Sequence, residues 1–392
     1  MSDWSDIIAF ADEHAGEEPL KMLLRQSRFP NVDMRLVAQQ LEGRRQASEK
    51  WPSLLQCRDY RYPPKLNREQ SSSEAAARYK AETLTKGGDR VADLTGGMGI
   101  DTMWMAKTAA TVDYFEKEPA LASLAQANFE SLCLGNVICH PCDSLEWLEE
   151  HDRHFDLIYL DPARRTADGR KASAFEDCQP NLLDNLALLR SRCERLAVKA
   201  SPMLSIPTAL CQLDDVEHLY IIAVGGECKE LLFVCRDGAS SPTLHCTDLR
   251  GGERHDYSFT LTEERACEGH YASETEAYLY EPNAALMKGG AYKLISKWFG
   301  VKQLDPNTHL YTGDRAIKDF PGRQFKVLRE LKLSRKEVTA AIGGRAAHVV
   351  TRNYPTAAAE LQRQLGLREG GDLFVVATTV GGRKKGLLCE RC

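Results

Sequence analysis

Four short stretches carry side chains able to do chemistry, at spacings that set them at the ends of successive strands. The first, Val91-Ala92-Asp93-Leu94-Thr95-Gly96-Gly97-Met98-Gly99-Ile100-Asp101, passes from a strand through a glycine-rich turn into a helix. Such a turn lets backbone approach a ligand closely and offers free N–H groups to a nucleotide-like cofactor. A dinucleotide fingerprint of the form GxGxxG fails at Thr102, which stands where the third glycine belongs. S-adenosylmethionine is the alternative, since its ammonium and sulfonium favour an acid at the strand end, and Asp93 supplies one four residues before Gly97. The second stretch ends in Glu116, a carboxylate placed to accept both hydroxyls of a ribose; a dinucleotide would use it in the same way, so it does not discriminate. In the third, Pro141-Cys142-Asp143-Ser144, Asp143 is placed to accept from an adenine amino group. Any one of these acids alone would more often cap a helix or face solvent, but three at the ends of three consecutive strands point to one site. The fourth stretch is Asp161-Pro162-Ala163-Arg164-Arg165.

Alternating strands and helices must position these groups. Strands are expected over 91–94, 111–116, 136–140, 155–160 and 195–200, with helices over 100–108, 119–134 and 181–193 between them, and a closing pair over 216–224 and 230–235. That order implies a parallel sheet wrapped by helices with an antiparallel hairpin at its edge. Ahead of it, residues 1–50 carry apolar positions at helical spacing, Trp51–Asn67 reads as an ordered linker, and the serines before Glu74 can N-cap a helix through Ala75-Ala76-Ala77. Beyond Pro242 the alternation stops: 243–275 is β-rich, 276–322 is a compact piece, and 323–392 reads strand, helix, strand, helix, strand. The expected domains are therefore a helical region and linker (1–69), an α/β domain (70–240), a connection with a small second piece (241–322) and a C-terminal module (323–392).

The turn and the fourth-strand motif together resemble class I S-adenosylmethionine-dependent methyltransferases, whose cofactor turn reads D-x-x-x-G-x-G and whose fourth strand ends in a [DNS]-P-P-aromatic motif. The resemblance implies a Rossmann-like sheet and S-adenosylmethionine bound through Asp93, Thr95, Gly97, Gly99, Glu116 and Asp143. Asp161 and the Pro162 carbonyl would accept hydrogen bonds from a target amine and aim its lone pair at the methyl group, catalysis mainly by positioning. Ala163 replaces the second proline and Arg164 the aromatic; with Arg165 they could stack on a base or hold a phosphate. Carbon methylation of a pyrimidine needs a cysteine nucleophile, and the fifth-strand end, Lys199-Ala200-Ser201-Pro202, has none, which favours a nitrogen target.

The chain has 392 residues, 43% hydrophobic and 27% charged, with a net charge of -5. Those proportions fit a multi-domain globular protein and exclude collagenous, disordered and coiled-coil classes. The charge is uneven, because residues 331–392 carry 11 basic against 5 acidic side chains, a net of +6 that leaves -11 on the remainder. A basic module on an acidic body is the asymmetry of a protein that docks a polyanion, with Arg345, Arg352, Lys384 and Lys385 as phosphate contacts. Gln70-Ser71-Ser72-Ser73-Glu74, Tyr280-Glu281-Pro282-Asn283, Arg352-Asn353-Tyr354-Pro355 and Gly370-Gly371-Asp372 make the chain similar to bacterial methyltransferases that carry a C-terminal THUMP-like domain after a ferredoxin-like piece. That resemblance implies RNA, tRNA or rRNA, as partner, and Thr95 in place of the first turn glycine is a variant met in RNA-modifying members. The 13 cysteines are read as reduced thiols, and the pairs Cys139/Cys142 and Cys389/Cys392 as not holding metal. No apolar run approaches the ~20 residues of a membrane span and the acidic start does not resemble a signal peptide, so a cytoplasmic protein is expected.

Overall fold

The computed structural model describes residues 3–162, 175 and 181–392, and the chain divides into two compact units: 1–217 with 231–240, and 218–230 with 241–392. Arg164 and Arg165 lie outside the described residues.

The first unit begins with helices α1 (Trp4–Glu13), α2 (Pro19–Leu23) and α3 (Met34–Lys50), which close on a core of Ile7, Ala11, Met22, Met34, Val37 and Leu41. The linker is ordered by burial. Trp51, Tyr60 and Tyr62 are inside, and the Trp51 indole N–H donates to the Ser72 carbonyl at 2.8 Å. Two helices follow, α4 (Lys65–Gln70) and α5 (Glu74–Leu84), the latter N-capped by Ser73, whose hydroxyl accepts from the Ala76 N–H.

The α/β part then runs β1 (Arg90–Asp93), α6 (Ile100–Met105), β2 (Thr111–Phe115), α7 (Pro119–Ser131), β3 (Val137–His140), α8 (Ser144–Glu150), β4 (Leu157–Leu160), α9 (Leu182–Ser191), β5 (Leu196–Ala200) and α10 (Ile206–Gln212). It is joined by β6 (Val216–Val224) and β7 (Glu227–Cys235), two strands that straddle the division between the units. Within the first unit the strand order is β3-β2-β1-β4-β5-β7, parallel except for antiparallel β7. The reversal of direction at β1 opens a crevice beyond the carboxyl ends of β1 and β4, where open α/β sheets bind ligands. Strands β4 and β5 are buried on both faces, which is why β4 is a continuous apolar run and β5 is one broken only by Lys199, rather than alternating.

In the second unit β8 (Thr243–Arg250) pairs parallel with β6 and antiparallel with β9 (Glu253–Thr260), followed by α11 (Leu261–Ala266). The rest forms a seven-stranded sheet. Its elements are β10 (Tyr278–Pro282), α12 (Ala284–Gly289), α13 (Tyr292–Phe299), β11 (Lys302–Asp305), β12 (Thr308–Gly313), β13 (Gly322–Leu331), α14 (Arg335–Ile342), β14 (Ala347–Arg352), α15 (Ala358–Leu365), β15 (Leu373–Val380) and β16 (Arg383–Arg391), in the order β11-β12-β10-β13-β16-β15-β14. Strand β16 corrects the expected pattern, which ended at β15. Gly381 and Gly382, at φ of 53° and 78°, make the two-residue reversal of a hairpin, and β16 returns between β13 and β15 with Leu387, Leu388 and Cys389 buried. Among the described residues no helix is long and apolar enough to cross a membrane.

Candidate active site

A cavity of about 1280 Å³ in the first unit lies at the carboxyl ends of β1, β2 and β4 and is walled on its other side by α3, α4 and the linker. It is lined by Asp93, Thr95, Gly97, Gly99, Glu116, Asp143, Asp161 and Pro162, so all eight cofactor and catalytic candidates meet there.

The turn after β1 is shaped by the tyrosine beneath it. The Tyr114 hydroxyl donates to the Gly97 carbonyl at 2.6 Å, and a Cβ built on Gly96 would overlap the Tyr114 ring. Gly97 and Gly99 adopt φ of 54° and 78°, and a Cβ on Gly99 would also come within 2.7 Å of Phe129. Glu116 closes the turn from β2, its carboxylate accepting from the Gly97 N–H at 3.1 Å and the Glu118 N–H at 2.8 Å. Thr95 ties β1 to β4: its hydroxyl accepts from the Asp161 N–H at 2.6 Å while its own N–H donates to Asp93. Asp143 lines the cavity and also N-caps α8, accepting from the Leu145 and Glu146 N–H groups.

Asp93 is almost wholly buried and accepts from the Thr102 hydroxyl at 2.6 Å. Burial pushes its carboxyl up to about 7, the Thr102 and Thr95 hydrogen bonds oppose that rise, and the Asp101 and Asp161 charges add to it. A group whose folded pKa lies above its unfolded value favours the fold fully below the unfolded pKa, and that favour is lost as pH rises to the folded pKa. Stability attributable to Asp93 therefore declines between about pH 4 and 7, by roughly 4 kcal/mol in all. Asp93→Asn cannot ionise. In urea unfolding, the stability of this variant relative to the parent should rise by roughly 2–3 kcal/mol from pH 5 to pH 8; an unchanged difference would refute the assignment.

A charged network assembled from residues distant in the chain underlies Asp161. Because Leu160 pairs with Val198 in the parallel β4–β5 ladder, the next residues on, Asp161 and Lys199, come side by side, and the Lys199 ammonium forms an ion pair with Asp161 Oδ2. Lys199, only 3% exposed, also donates to the Ser72 hydroxyl at 3.2 Å. Ser72 in turn joins Asp101, which pairs with the fully buried Lys80 at 2.9 Å and accepts from the Tyr159 hydroxyl at 2.9 Å. Burial raises the Asp101 carboxyl, but the Lys80 and Lys199 charges outweigh it and hold the group below its ordinary value. The lone lysine in the apolar strand Leu196-Ala197-Val198-Lys199-Ala200 is the sequence signal for this network.

Among the described residues, the cavity wall carries seven carboxylates (Glu69, Asp93, Asp101, Glu116, Glu118, Asp143, Asp161), of which Asp101 and Asp161 are paired with Lys80 and Lys199 behind it, against two cations, Arg61 and Lys117. That field repels the pyrophosphate of a dinucleotide and attracts a cationic cofactor. Asp93 offers a buried carboxylate to a cationic group of the ligand, and because the Thr95, Gly96, Gly97 and Gly99 N–H groups are bonded within the protein, the turn contributes close approach and shape rather than donors. The residues fit S-adenosylmethionine.

The basic candidates of the C-terminal module do not form one patch. Arg352 pairs with Glu281, which also holds Arg323, and Lys385 pairs with Glu274 and with Glu330 at 2.8 Å. Those ion pairs compete with phosphate for both side chains, although Arg352 stays exposed. Arg345 and Lys384 are exposed, but at opposite ends of the sheet: Arg352 and Lys385 flank Thr378 in the ladder, whereas Arg345 precedes Ala347 at the other end, roughly 20 Å away at the strand rise. Among the described residues no group of three or more His, Cys, Asp or Glu side chains is arranged to hold a metal ion.

Fold and cavity together define a class I S-adenosylmethionine-dependent methyltransferase. A crystal structure from Porphyromonas gingivalis W83, of a protein whose proposed class is methyltransferase, superposes with a TM-score of 0.88 at 30% identity, covering 99% of this chain and 98% of that one. An uncharacterised S-adenosylmethionine-dependent methyltransferase of Mycobacterium tuberculosis H37Rv is 25% identical over 321 residues, 80% of this chain and 83% of that one. Ribosomal RNA small subunit methyltransferase J of Bdellovibrio bacteriovorus is 33% identical over 88 residues, 21% of this chain and 35% of that one. Family models for a ferredoxin-like domain and a THUMP domain-like module match residues 278–321 and 322–391. The chain belongs to the family of S-adenosylmethionine-dependent methyltransferases that carry a C-terminal THUMP-like domain.

Proposed function

We propose that the protein methylates a nitrogen of a base in RNA, with Asp161 and the Pro162 carbonyl holding the target amine. The observation that carries this reading is the Asp161-Pro162 pair on the wall of the cofactor cavity, with Lys199 bound to one carboxylate oxygen and the other left for a substrate. Bound S-adenosylmethionine supplies an electrophilic methyl group. Asp93, Thr95, the Gly97 and Gly99 backbone, Glu116 and Asp143 hold the cofactor in this reading. Asp161 and Pro162 accept the two N–H groups of the amine and so fix its lone pair, while Lys199, a positioning residue, fixes Asp161.

A nitrogen target is supported by the state of the cavity's thiol. Cys142 lies beside Asp143, and burial, together with the Asp143, Glu146 and Glu150 carboxylates, raises its pKa, the opposite of what a nucleophile needs. RNA is supported by the THUMP-like module, by the partial likeness to a ribosomal RNA methyltransferase and by the net +6 of residues 331–392. Arg345, Arg352, Lys384 and Lys385 are the phosphate contacts of that module in this reading, Arg352 and Lys385 exchanging a carboxylate partner for phosphate, and Arg164 and Arg165 are those of the α/β domain. The cytoplasm is the compartment such a substrate implies.

The test is mass spectrometry of nucleosides from total RNA of a strain lacking the gene against its parent. One N-methylated nucleoside should disappear and return on complementation. An identical nucleoside profile in the two strains would refute RNA as the substrate.

A further inference from the structure

We propose that Arg61 is the anchor of an oxyanion site at the end of the cofactor cavity walled by the N-terminal helices, built to hold a phosphate or carboxylate of a bound ligand. This rests on the reading of the cavity as the cofactor's and not on RNA being the substrate.

Arg61 stands in the linker, and its backbone is gripped from both sides by one buried residue of α7. Its N–H donates to Asn128 Oδ1 at 2.7 Å and its carbonyl accepts from Asn128 Nδ2 at 2.9 Å. The guanidinium lies over the Trp4 ring, 5.2 Å from its centroid. Backbone clamp and aromatic platform fix the side chain before any ligand arrives.

What the site lacks is an anion. Arg61 Nε is shielded from solvent with no hydrogen-bond acceptor, and among the described residues no carboxylate comes within ion-pair distance of the guanidinium. Asp3, whose carboxylate senses the Arg61 charge, is exposed and engaged with Ser5. A shielded donor without an acceptor is costly and uncommon in native structures, and a planar guanidinium fork matches two oxygens of a phosphate or carboxylate. On a largely acidic wall, Arg61 is one of two cations among the described lining residues, so a zwitterionic or extended ligand would be polarised along the cavity, its positive part toward the carboxylates and its oxyanion toward Arg61.

Position favours phosphate over the cofactor's own carboxylate. Asn128 lies ten residues along α7 from Glu118, its N-cap, roughly 15 Å at the helical rise, and Glu118 sits next to the ribose candidate Glu116. The clamp therefore stands well away from the β2 end of the cavity.

Calorimetry on the full chain tests this with three probes: S-adenosylhomocysteine, methylthioadenosine, which lacks the amino-acid end, and inorganic phosphate. In Arg61→Gln, phosphate binding should weaken by roughly 10–100-fold, the range for a charged hydrogen-bond pair, with both nucleosides within twofold of the parent. A comparable loss for S-adenosylhomocysteine alone, with methylthioadenosine unchanged, would support the site with the cofactor's carboxylate as its oxyanion. Unchanged affinity for all three probes would overturn the proposal. Failure of the parent chain to bind S-adenosylhomocysteine would instead overturn the cofactor cavity, and the phosphate arm would still judge Arg61. Arg61→Lys, which keeps the charge and loses the fork, should fall between parent and Arg61→Gln and serves if the glutamine variant does not fold.

Discussion

Asp161→Ala should lower methyl transfer by ~100-fold or more while S-adenosylmethionine affinity stays within about twofold, because the group acts on the orientation of the attacking amine and not on the cofactor. Turnover and calorimetry on the same preparation separate the two effects. The Lys199 ion pair changes what the conservative variant reports. In Asp161→Asn the amide oxygen is drawn to the Lys199 ammonium, which turns the amide NH₂ toward the cavity and presents a donor where the amine needs an acceptor. Asp161→Asn should therefore be nearly as impaired as the alanine variant. The double variant Asp161→Asn with Lys199→Met frees the amide to turn its oxygen to the substrate, and should recover roughly tenfold if the residue works by positioning. A double variant as inactive as Asp161→Asn would point to proton removal by the carboxylate. Parental activity in Asp161→Ala would remove the residue from the active site altogether.

Gly96→Ala should abolish S-adenosylmethionine binding at concentrations that saturate the parent. The added Cβ would enter the Tyr114 ring, which is fully buried and cannot withdraw without breaking its hydrogen bond to the Gly97 carbonyl. Either the turn lifts off β2 or the ring is displaced into the core. Overpacking of this kind costs roughly 1–3 kcal/mol of stability and, more directly, moves the backbone that lines the cofactor cavity. Gly97→Ala is the control. Its Cβ would meet only the Thr95 carbonyl, at an ordinary contact of 3.8 Å, so the cost is the strain of a positive φ, about 1 kcal/mol, with the turn kept in place. Replacing Tyr114 by leucine in the Gly96→Ala background should restore part of the affinity, since the clash is with the aromatic ring. Equal cofactor affinity for Gly96→Ala and the parent would show that the turn does not carry the cofactor.

The α/β order was legible in the sequence because its elements announce themselves locally. Apolar runs such as Leu157-Ile158-Tyr159-Leu160 can only be buried strands in this context, and Ser73, Asp143 and Asn181 cap their helices within two or three residues of themselves. The glycine turn and the acids at the strand ends belong to the same local grammar, so Asp93, Glu116, Asp143 and Asp161 could be chosen as candidates from the chain alone. Strand β16 was not legible. Its first residues, Arg383-Lys384-Lys385-Gly386, read as a charged tail, and only pairing on both sides by β13 and β15 makes it a central strand.

What the chain order cannot carry is partnership between residues far apart in it. Lys199 becomes part of the site because β5 lies beside β4, Lys80 and Ser72 because α5 and its approach pack beneath both, and Tyr114 because β2 runs under the turn of β1. The same holds for charge. Composition established that residues 331–392 are basic, yet only the fold gives Arg352 and Lys385 their carboxylate partners, Glu281, Glu274 and Glu330, 55 to 111 positions away. Sequence fixes which groups are present and the local backbone that bears them; their protonation, orientation and freedom to meet a ligand are set by burial and by neighbours that only the folded chain brings within a few ångströms.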